Sequence, residues 1–487
     1  MKKHFYSIFA LFLVGSMFSC QSPKSNSAKE ETAGIDSMAP NPFITHMYTA
    51  DPSAHVWADG RLYVYASHDI DPPRGCDLMD RYHVFSTDDM VNWTDHGEVF
   101  SIENAKWAPR FTWAPCVVFH EGKFFLYYGN GDQGIGVATS ESPIGPYYDP
   151  NDGPIVDFST PGVLAKDSHG NLIKNERNVR GALQGSENWG IWCFDPCVWI
   201  EDDGQPYMYF GGAHPNNSRI IKLKSNMVEV DGAAIHPNTP GFFEASFMHK
   251  FKDKYYYSYA GHYFGKPASI EYVVGESPVG IFKEPGIILP NPPSNDGYNN
   301  HHSIFQFKKN WYIAYHNRQV AYEKGQSDKR AREYMRSICL DRLIHNEDGS
   351  IQLVKITKDG LPQLKYVNPF QSNEAETMAK GIGIKTLNKE DNSQNRVVCF
   401  SNEGYIKIRG VDFQKGASQF YASIKCMLLS EGTIELHLEG INGLLIGKLP
   451  VSSVSNGNTW KNIKTRTHPN QGVNDLYIVY KLSLIHI

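Results

Sequence analysis

What the chain lacks narrows it first. Its 487 residues carry a formal net charge of −5 with no clustered basic stripe, which sets nucleic acid aside as a partner. Cysteine is scarce, eight in all, and no C-x-x-C pair has a partner at zinc-like spacing. Setting Cys20 apart leaves an odd number, which forbids complete intramolecular pairing. Cys193 and Cys197 stand too far apart along one strand to bridge easily, so buried free thiols are expected. Beyond residue 20 no apolar run is long enough to span a bilayer. In place of these features the chain has 42 Gly, 28 Pro and 13% aromatic residues, a composition of many strands and turns rather than helices. Abundant aromatics with modest charge suit a flat, neutral, hydroxyl-rich ligand such as a sugar.

The N-terminus reads as an export signal. Lys2 and Lys3 precede an apolar run from Phe5 to Phe18, too short to cross a membrane comfortably. Met17-Phe18-Ser19-Cys20 is similar to a bacterial lipoprotein box with Cys20 as the residue to be lipidated, although the usual leucine three places earlier is missing. An ordinary cleaved signal is the alternative. The expectation is a signal peptide over 1–20 and an exported protein, periplasmic or anchored at the outer membrane by a lipid on Cys20. Residues 21–39, polar and aperiodic, then form a flexible tether.

At this length two domains are the default. From 40 to 366 one pattern recurs five times: an apolar strand, a tight turn, an aromatic-rich strand. The copies are HVWADGRLYVYAS (55–67), VVFHEGKFFLYYG (117–129), VWIEDDGQPYMYFGG (198–212), FMHKFKDKYYYSYAG (247–261) and IFQFKKNWYIAYHN (304–317). Their turns centre on residues that tolerate a left-handed backbone: Gly60, Gly122, Gly204, Asp253 and Asn310. The spacing leaves room for one four-stranded blade of about 40–50 residues per copy, with insertions in the first two intervals. This predicts an all-β chain, a five-bladed β-propeller, with a β-sandwich as the alternative. Loops 69–83, 152–190 and 287–300 are expected at the mouth of a pocket.

Nine residues before each turn centre stand Asp51, Trp113, Asp195, Glu244 and His301. In a propeller the innermost strands line a central channel, so equivalent positions ring one axis. Three carboxyls brought that close cannot all ionise cheaply, and enzymes use such a set to keep one protonated as a general acid while another works as a base. Glycosidic cleavage needs that division of labour. Trp113 would supply a wall or stacking face for a sugar ring. His301 would bind a metal or water, or orient a carboxylate; its neighbour His302 should face the other way. After Pro369 the texture changes, and alternating strands such as YIKIRGVDF (405–413), TIELHLEG (433–440) and DLYIVYKL (475–482) predict a separate β-sandwich.

The segments NPFITHMYTADPSAHVW, WAPCVVFHEGKFFLYYG, CFDPCVWIEDDG, FFEASFMHK and NHHSIFQFKKNWYIAYHNR resemble, in order, the signatures of glycoside hydrolase family 43 over about residues 41–360. The resemblance implies a five-bladed propeller that hydrolyses β-xylosides, α-L-arabinofuranosides or arabinans with inversion. It implies Asp51 as general base, Asp195 as the residue that tunes the acid's pKa and orients substrate, and Glu244 as general acid. It also places His301 near a bound calcium or other cation. The family's Trp-Ala-Pro-Asp is here Trp113-Ala114-Pro115-Cys116, a departure expected to alter pocket shape more than chemistry.

Residues 370–487 resemble carbohydrate-binding module family 6. That resemblance implies a structural calcium at Glu374 and Glu376 and sugar platforms at Tyr405 and Trp460, whose alternative role is core packing. The module is expected to be truncated, with 482–487 (LSLIHI at the end of the chain) non-native, a sheet edge exposed and ligand binding weak. The function expected is exo-acting, inverting release of xylose or L-arabinofuranose from plant hemicellulose oligosaccharides (xylan, arabinoxylan), with no organic cofactor. A non-catalytic sugar-binding propeller is the alternative. A glycoside phosphorylase would need basic residues beside the carboxyls, and none stands on the row.

Overall fold

The computed structural model describes residues 7–9, 41–70, 78–108, 111–131, 133–164, 191–212, 217–261, 268–296, 299–388, 396–425, 432–451 and 460–482. The tether, Cys20, all of the signal except Ser7–Phe9 and residues 483–487 lie outside them, as does most of 152–190; Ser7–Phe9 is a strand paired with Val398, Cys399 and Phe400. The chain divides into two compact units: Met47–Val84 with Glu98–Lys358, and Met1–His46 with Phe85–Gly97 and Asp359–Ile487.

Five antiparallel sheets succeed one another along the chain, and each opens on the hairpin expected from the repeat. They begin with Tyr48–Val56, Trp113–His120, Cys197–Ile200, Phe242–Phe251 and His302–Phe307. Each first strand touches the first strand of the next sheet, and the fifth touches the first, which closes a ring. This is a five-bladed propeller. Its cores lie between blades. Tyr65, Tyr82 and Val84 meet Val117 and Leu126 between blades one and two, and Val118 and Tyr127 meet Met208 and Ile221 between two and three. The outer hairpin of the first blade, Phe85–Gly97, groups with the second compact unit.

The first strands are not regular. Ladder register slips between Ala50 and Ser53, between Trp113 and Cys116, and between Glu244 and Phe247. At or beside each slip one non-glycine residue is left-handed: Asp51 (φ 51°), Ala114 (φ 41°) and Ala245 (φ 59°), with Asp195 (φ 49°) matching them in the third blade. These are β-bulges, which bend a strand and re-aim a side chain. Pro follows Asp51, Ala114 and Asp195, where the broken ladder has no use for an N–H.

Turn length compensates for bulge position. In blades one and three, Val56 pairs with Leu62 and Ile200 with Pro206 across longer loops, and the acid is itself the left-handed residue. In blades two and four, His120 pairs with Lys123 and Phe251 with Lys254 across two-residue turns, and the row residue precedes the left-handed alanine. Two expected turn centres are corrected. The left-handed residues are Lys252 (φ 54°) in the fourth hairpin and Lys308 and Lys309 (φ 45° and 69°) in the fifth. Asn310 already belongs to the return strand, paired with Phe307. Tight hairpin closure dictates φ > 0 at those positions whichever residue stands there.

In the second unit, strands Arg396–Asp412, Val473–Leu482, Gly432–Leu438 and Leu444–Val451 lie side by side in one sheet, with Lys380–Asn388 on the outer side of Arg396–Asp412. A second sheet pairs Gln419–Ile424 with Lys461–Arg466. Phe400, Ile408, Phe420, Leu436 and Ile478 fill the sandwich core. The last strand, Val473–Leu482, is paired on both sides, so it is not the exposed edge. The Phe85–Gly97 hairpin is held within this unit: Thr94 and Trp93 pair with Thr377 and Met378, and Asn92 bonds the backbone of Arg409.

Candidate active site

The five row positions converge. Asp51, Trp113, Asp195, Glu244 and His301 line one pocket with a cavity volume of about 230 Å³. The bulges make this possible by turning both Asp side chains and Glu244 toward one mouth of the channel. An aromatic wall closes one side. Phe111 stacks on Trp113 (5.6 Å between ring centres), Phe194 meets Trp113 and Trp192 edge-on, and Trp192 reaches Phe243.

The floor is built around a guanidinium that the row does not contain. Arg336 is buried and donates from Nη1 to Asp51 Oδ1 (2.8 Å). From Nε and Nη2 it also forks onto both oxygens of Asp69 (2.9 and 2.8 Å). It follows the short helices Gln319–Glu323 and Lys329–Arg332, inserted between the second and third strands of blade five. His316 accepts the backbone N–H of Asp51 at Nδ1 (3.4 Å) and faces the Asn299 carbonyl at Nε2 (3.3 Å). That pattern fits a neutral ring with its proton on Nε2. His301 Nδ1 sits 3.7 Å from Asp51 and 3.8 Å from Asp195, between the two carboxyls. His302 turns away and pairs with Ser258 at 2.6 Å.

The electrostatics split the acids. Burial first, then the charges of Asp195 and Asp51, pushes the Glu244 carboxyl well above the usual range, against the pull of Arg336. Burial and then Asp51 push Asp195 up as well, opposed by the Ala245 N–H that donates to it at 3.0 Å and by Arg336. Burial pulls His301 down to about 4, with Asp51 opposing and Arg336 adding to the effect. Arg336 stays well above its ordinary value: burial works against its charge, but Asp51 and Asp69 outweigh it. One carboxylate is thus paired with a fixed cation, while burial and mutual repulsion raise the other two, so that Asp195 and Glu244 do not ionise together cheaply. That arrangement can donate a proton at one point of a substrate and accept one at another.

Arg336, Asp69, His316, Asn299, Glu333 and Tyr334 stand off the row: Asp69 and His316 come from second strands, Asn299 from the segment before blade five, and Glu333, Tyr334 and Arg336 from the blade-five insertion. The absence of a basic residue holds for the row and fails for the site. Cys116 does not line this pocket. It points further down the channel and accepts the Val198 N–H at Sγ (3.2 Å), so the expected effect on the shape of the acid pocket is corrected. The five described cysteines, Cys116, Cys193, Cys197, Cys339 and Cys399, are all buried free thiols.

The remaining candidates lie in the second unit. Tyr405 is beside Tyr477 (5.9 Å) on the face opposite the core residues Ile406 and Ile408. Trp460 covers Val397 and Cys399. Neither joins the main sandwich core. Burial raises Glu374 and lifts Glu376 to about 8. Among the described residues no three His, Cys, Asp or Glu side chains converge in metal-binding geometry.

The fold and this pocket define a propeller glycosidase. The chain belongs to glycosyl hydrolases family 43, whose model matches residues 39–169 and 178–351, and carries a family 6 carbohydrate binding module over 374–486. It is 36% identical over 485 residues to an arabinoxylan arabinofuranohydrolase of Paenibacillus polymyxa, covering 90% of this chain and 71% of that protein. A crystal structure of a family 43 arabinoxylan arabinofuranohydrolase from Bacillus subtilis, in complex with cellotetraose, superposes with a TM-score of 0.78. It is 34% identical and covers 92% of this chain and 95% of that one. An α-L-arabinofuranosidase structure from Clostridium thermocellum is 45% identical over 66% of this chain and 98% of that one, with a TM-score of 0.53.

Proposed function

We propose that the chain is an exo-acting, inverting hydrolase of plant hemicellulose that releases terminal L-arabinofuranose from arabinoxylan. The observation that carries this reading is the one pocket in which burial and neighbouring carboxyls raise Glu244 well above the usual range while Asp51 is tied to Arg336. Glu244 gives its proton to the glycosidic oxygen as the bond to the anomeric carbon breaks. A water attacks that carbon from the opposite face, and Asp51 takes the proton the water loses. Asp195 holds the acid's proton by its charge and offers a hydrogen-bond partner to a sugar hydroxyl. Solvent then restores both protonation states. A cavity of about 230 Å³ suits one terminal pentose better than an internal stretch of polymer, since ligand clefts more often span about 300–1,000 Å³. The relatives named for arabinoxylan favour arabinofuranose over xylose.

NMR of the first-formed sugar tests the mechanism: β-arabinose from an α-linked substrate supports inversion, and α-arabinose rejects it. Glu244→Gln should abolish hydrolysis of xylan-linked arabinose yet spare an aryl arabinofuranoside whose leaving group needs no proton. A higher kcat/KM on the aryl β-xyloside than on the arabinofuranoside would overturn the choice of sugar, and dependence on inorganic phosphate would indicate a phosphorylase.

Two further parts of the reading concern the rest of the chain. Glu374 and Glu376 would supply anionic oxygen ligands to a structural calcium, a hard cation that prefers such donors; chelation should then lower the melting temperature. At His301 the adjacent carboxyls are engaged by protein donors, Asp51 by Arg336 and Asp195 by the Ala245 N–H, and no proton transfer in this mechanism is routed through a metal there. Export with a lipid on Cys20 would be read by incorporation of labelled fatty acid, lost in Cys20→Ala.

A further inference from the structure

Below the acids, the first strands present two more tiers of inward side chains. The second tier lies two residues on from Asp51, Asp195 and His301 and, across the bulges, three on from Trp113 and Glu244; the third lies two further along in every strand. The second tier is Ser53, Cys116, Cys197, Phe247 and Ser303. Four of these accept a backbone N–H from the following blade: Ser303 from Ala54 (2.9 Å), Ser53 from Val117 (3.3 Å), Cys116 from Val198 (3.2 Å) and Cys197 from Met248 (3.4 Å). The third tier is His55, Val118, Trp199, His249 and Phe305. It lines a second cavity of about 390 Å³, larger than the acid pocket, and no residue lines both.

This cavity opens among the hairpin turns, where Trp57, Trp199 and Trp311 are half-buried and Phe119 is 47% exposed. Its polar groups carry little free charge. Burial drives the imidazole of His55 down to about 3, and Lys250 is paired with Glu201 (3.0 Å) and Asp202 (2.7 Å). Among the described residues two hydrogen-bonding positions remain: the exposed Gln306 amide, and His249 Nδ1, a buried atom with no partner there. Apolar ring faces beside neutral donors and acceptors disfavour an ion and suit a pyranose, which packs its C–H face on an aromatic ring and its hydroxyls on the rim. Among the described residues no carboxylate lines the cavity, so it can bind without cleaving.

We propose that the hairpin end of the propeller channel is a second, non-catalytic saccharide site that takes a neutral segment of a β-linked xylose chain on Trp199 and Trp311. The identity of the sugar, a xylose chain, rests on the hemicellulose reading; the cavity and its aromatic lining do not.

The test uses the full chain. Xylohexaose added to the otherwise unaltered protein should slow hydrogen exchange in peptides covering 117–120, 197–200 and 247–250. Trp199→Ala with Trp311→Ala should erase that protection and raise KM on soluble arabinoxylan at least threefold, with kinetics on the aryl arabinofuranoside unchanged. Trp199→Phe with Trp311→Phe, which keeps flat rings, should restore protection and so separates binding from a folding defect. Protection confined to the acid pocket and to the 374–482 region overturns the proposal, as does an arabinoxylan KM unmoved in the double alanine variant. Cellohexaose, run in parallel, separates the two claims. Protection at 197–200 by cellohexaose alone would reject the xylose chain as the occupant. Absence of hydrolysis of either aryl glycoside by the unaltered protein would instead reject the proposed activity.

Discussion

Arg336 is the residue on which the acid set depends. It is buried, its fork is fully used by Asp51 and Asp69, and its removal strands two buried carboxyls. Arg336→Met should cost about 3–5 kcal/mol of folding stability, the usual effect of breaking a buried pair. It should also lower kcat on the order of 10²-fold, the lower end of what acid–base catalysis contributes. Arg336→Lys keeps the charge but cannot fork to both acids, so it should fall between; urea unfolding and aryl-glycoside kinetics read the two effects. The pH profile reports on the neighbouring acids. Glu244 must be protonated to act, so activity falls as pH rises through its raised pKa. The charge of Asp195 is the second cause of that rise, after burial, so Asp195→Asn should move the alkaline limb of kcat/KM to lower pH. An unmoved limb would show that Glu244 does not govern it. The acids could be read from the sequence because they hang on a repeated register. Arg336, Asp69 and His316 could not, because nothing local marks them and only the folded chain brings them to Asp51.

The hairpin and its bulge are the elements that aim the chemistry, and they differed in legibility. Gly60, Gly122 and Gly204 announced their turns. Lys252, Lys308 and Lys309 did not, since lysine rarely adopts φ > 0 unless strand closure forces it. The bulges were equally silent, because Ala114 and Ala245 take a conformation that costs a non-glycine residue about 1–2 kcal/mol. Packing of the first strands has to offset that cost, and the second tier of N–H acceptors helps to do so. Ser303→Ala leaves the buried Ala54 N–H without its partner and should destabilise by about 1–3 kcal/mol. Cys116→Ser, which still offers an acceptor to Val198, should cost less. Equilibrium denaturation of both variants checks the contrast.

At the scale of the whole molecule, the change of texture after Pro369 marked two bodies, but the sequence hid how the chain is shared between them. Phe85–Gly97 belongs by order to the first blade and by packing to the C-terminal unit, where Asn92 and Thr94 bond residues more than 280 positions away. Alternating hydrophobicity carries no trace of such long-range pairing. Ending the chain at Lys358 should therefore lower the melting temperature and open a protease site within 85–97, measured by calorimetry and limited digestion. Full resistance would show that the hairpin does not need those partners. The left-handed Asp51 and Asp195 have one more consequence, for the chemical lifetime of the backbone. An aspartate followed by proline is prone to acid cleavage, because its carboxyl can attack its own carbonyl carbon. At Asp51-Pro52 the Arg336 guanidinium holds one carboxyl oxygen, and at Asp195-Pro196 the Ala245 N–H does. The fold that makes these side chains useful therefore also restrains them from cutting the chain, and release of fragments at 51 and 195 in warm acid would time the loss of native structure.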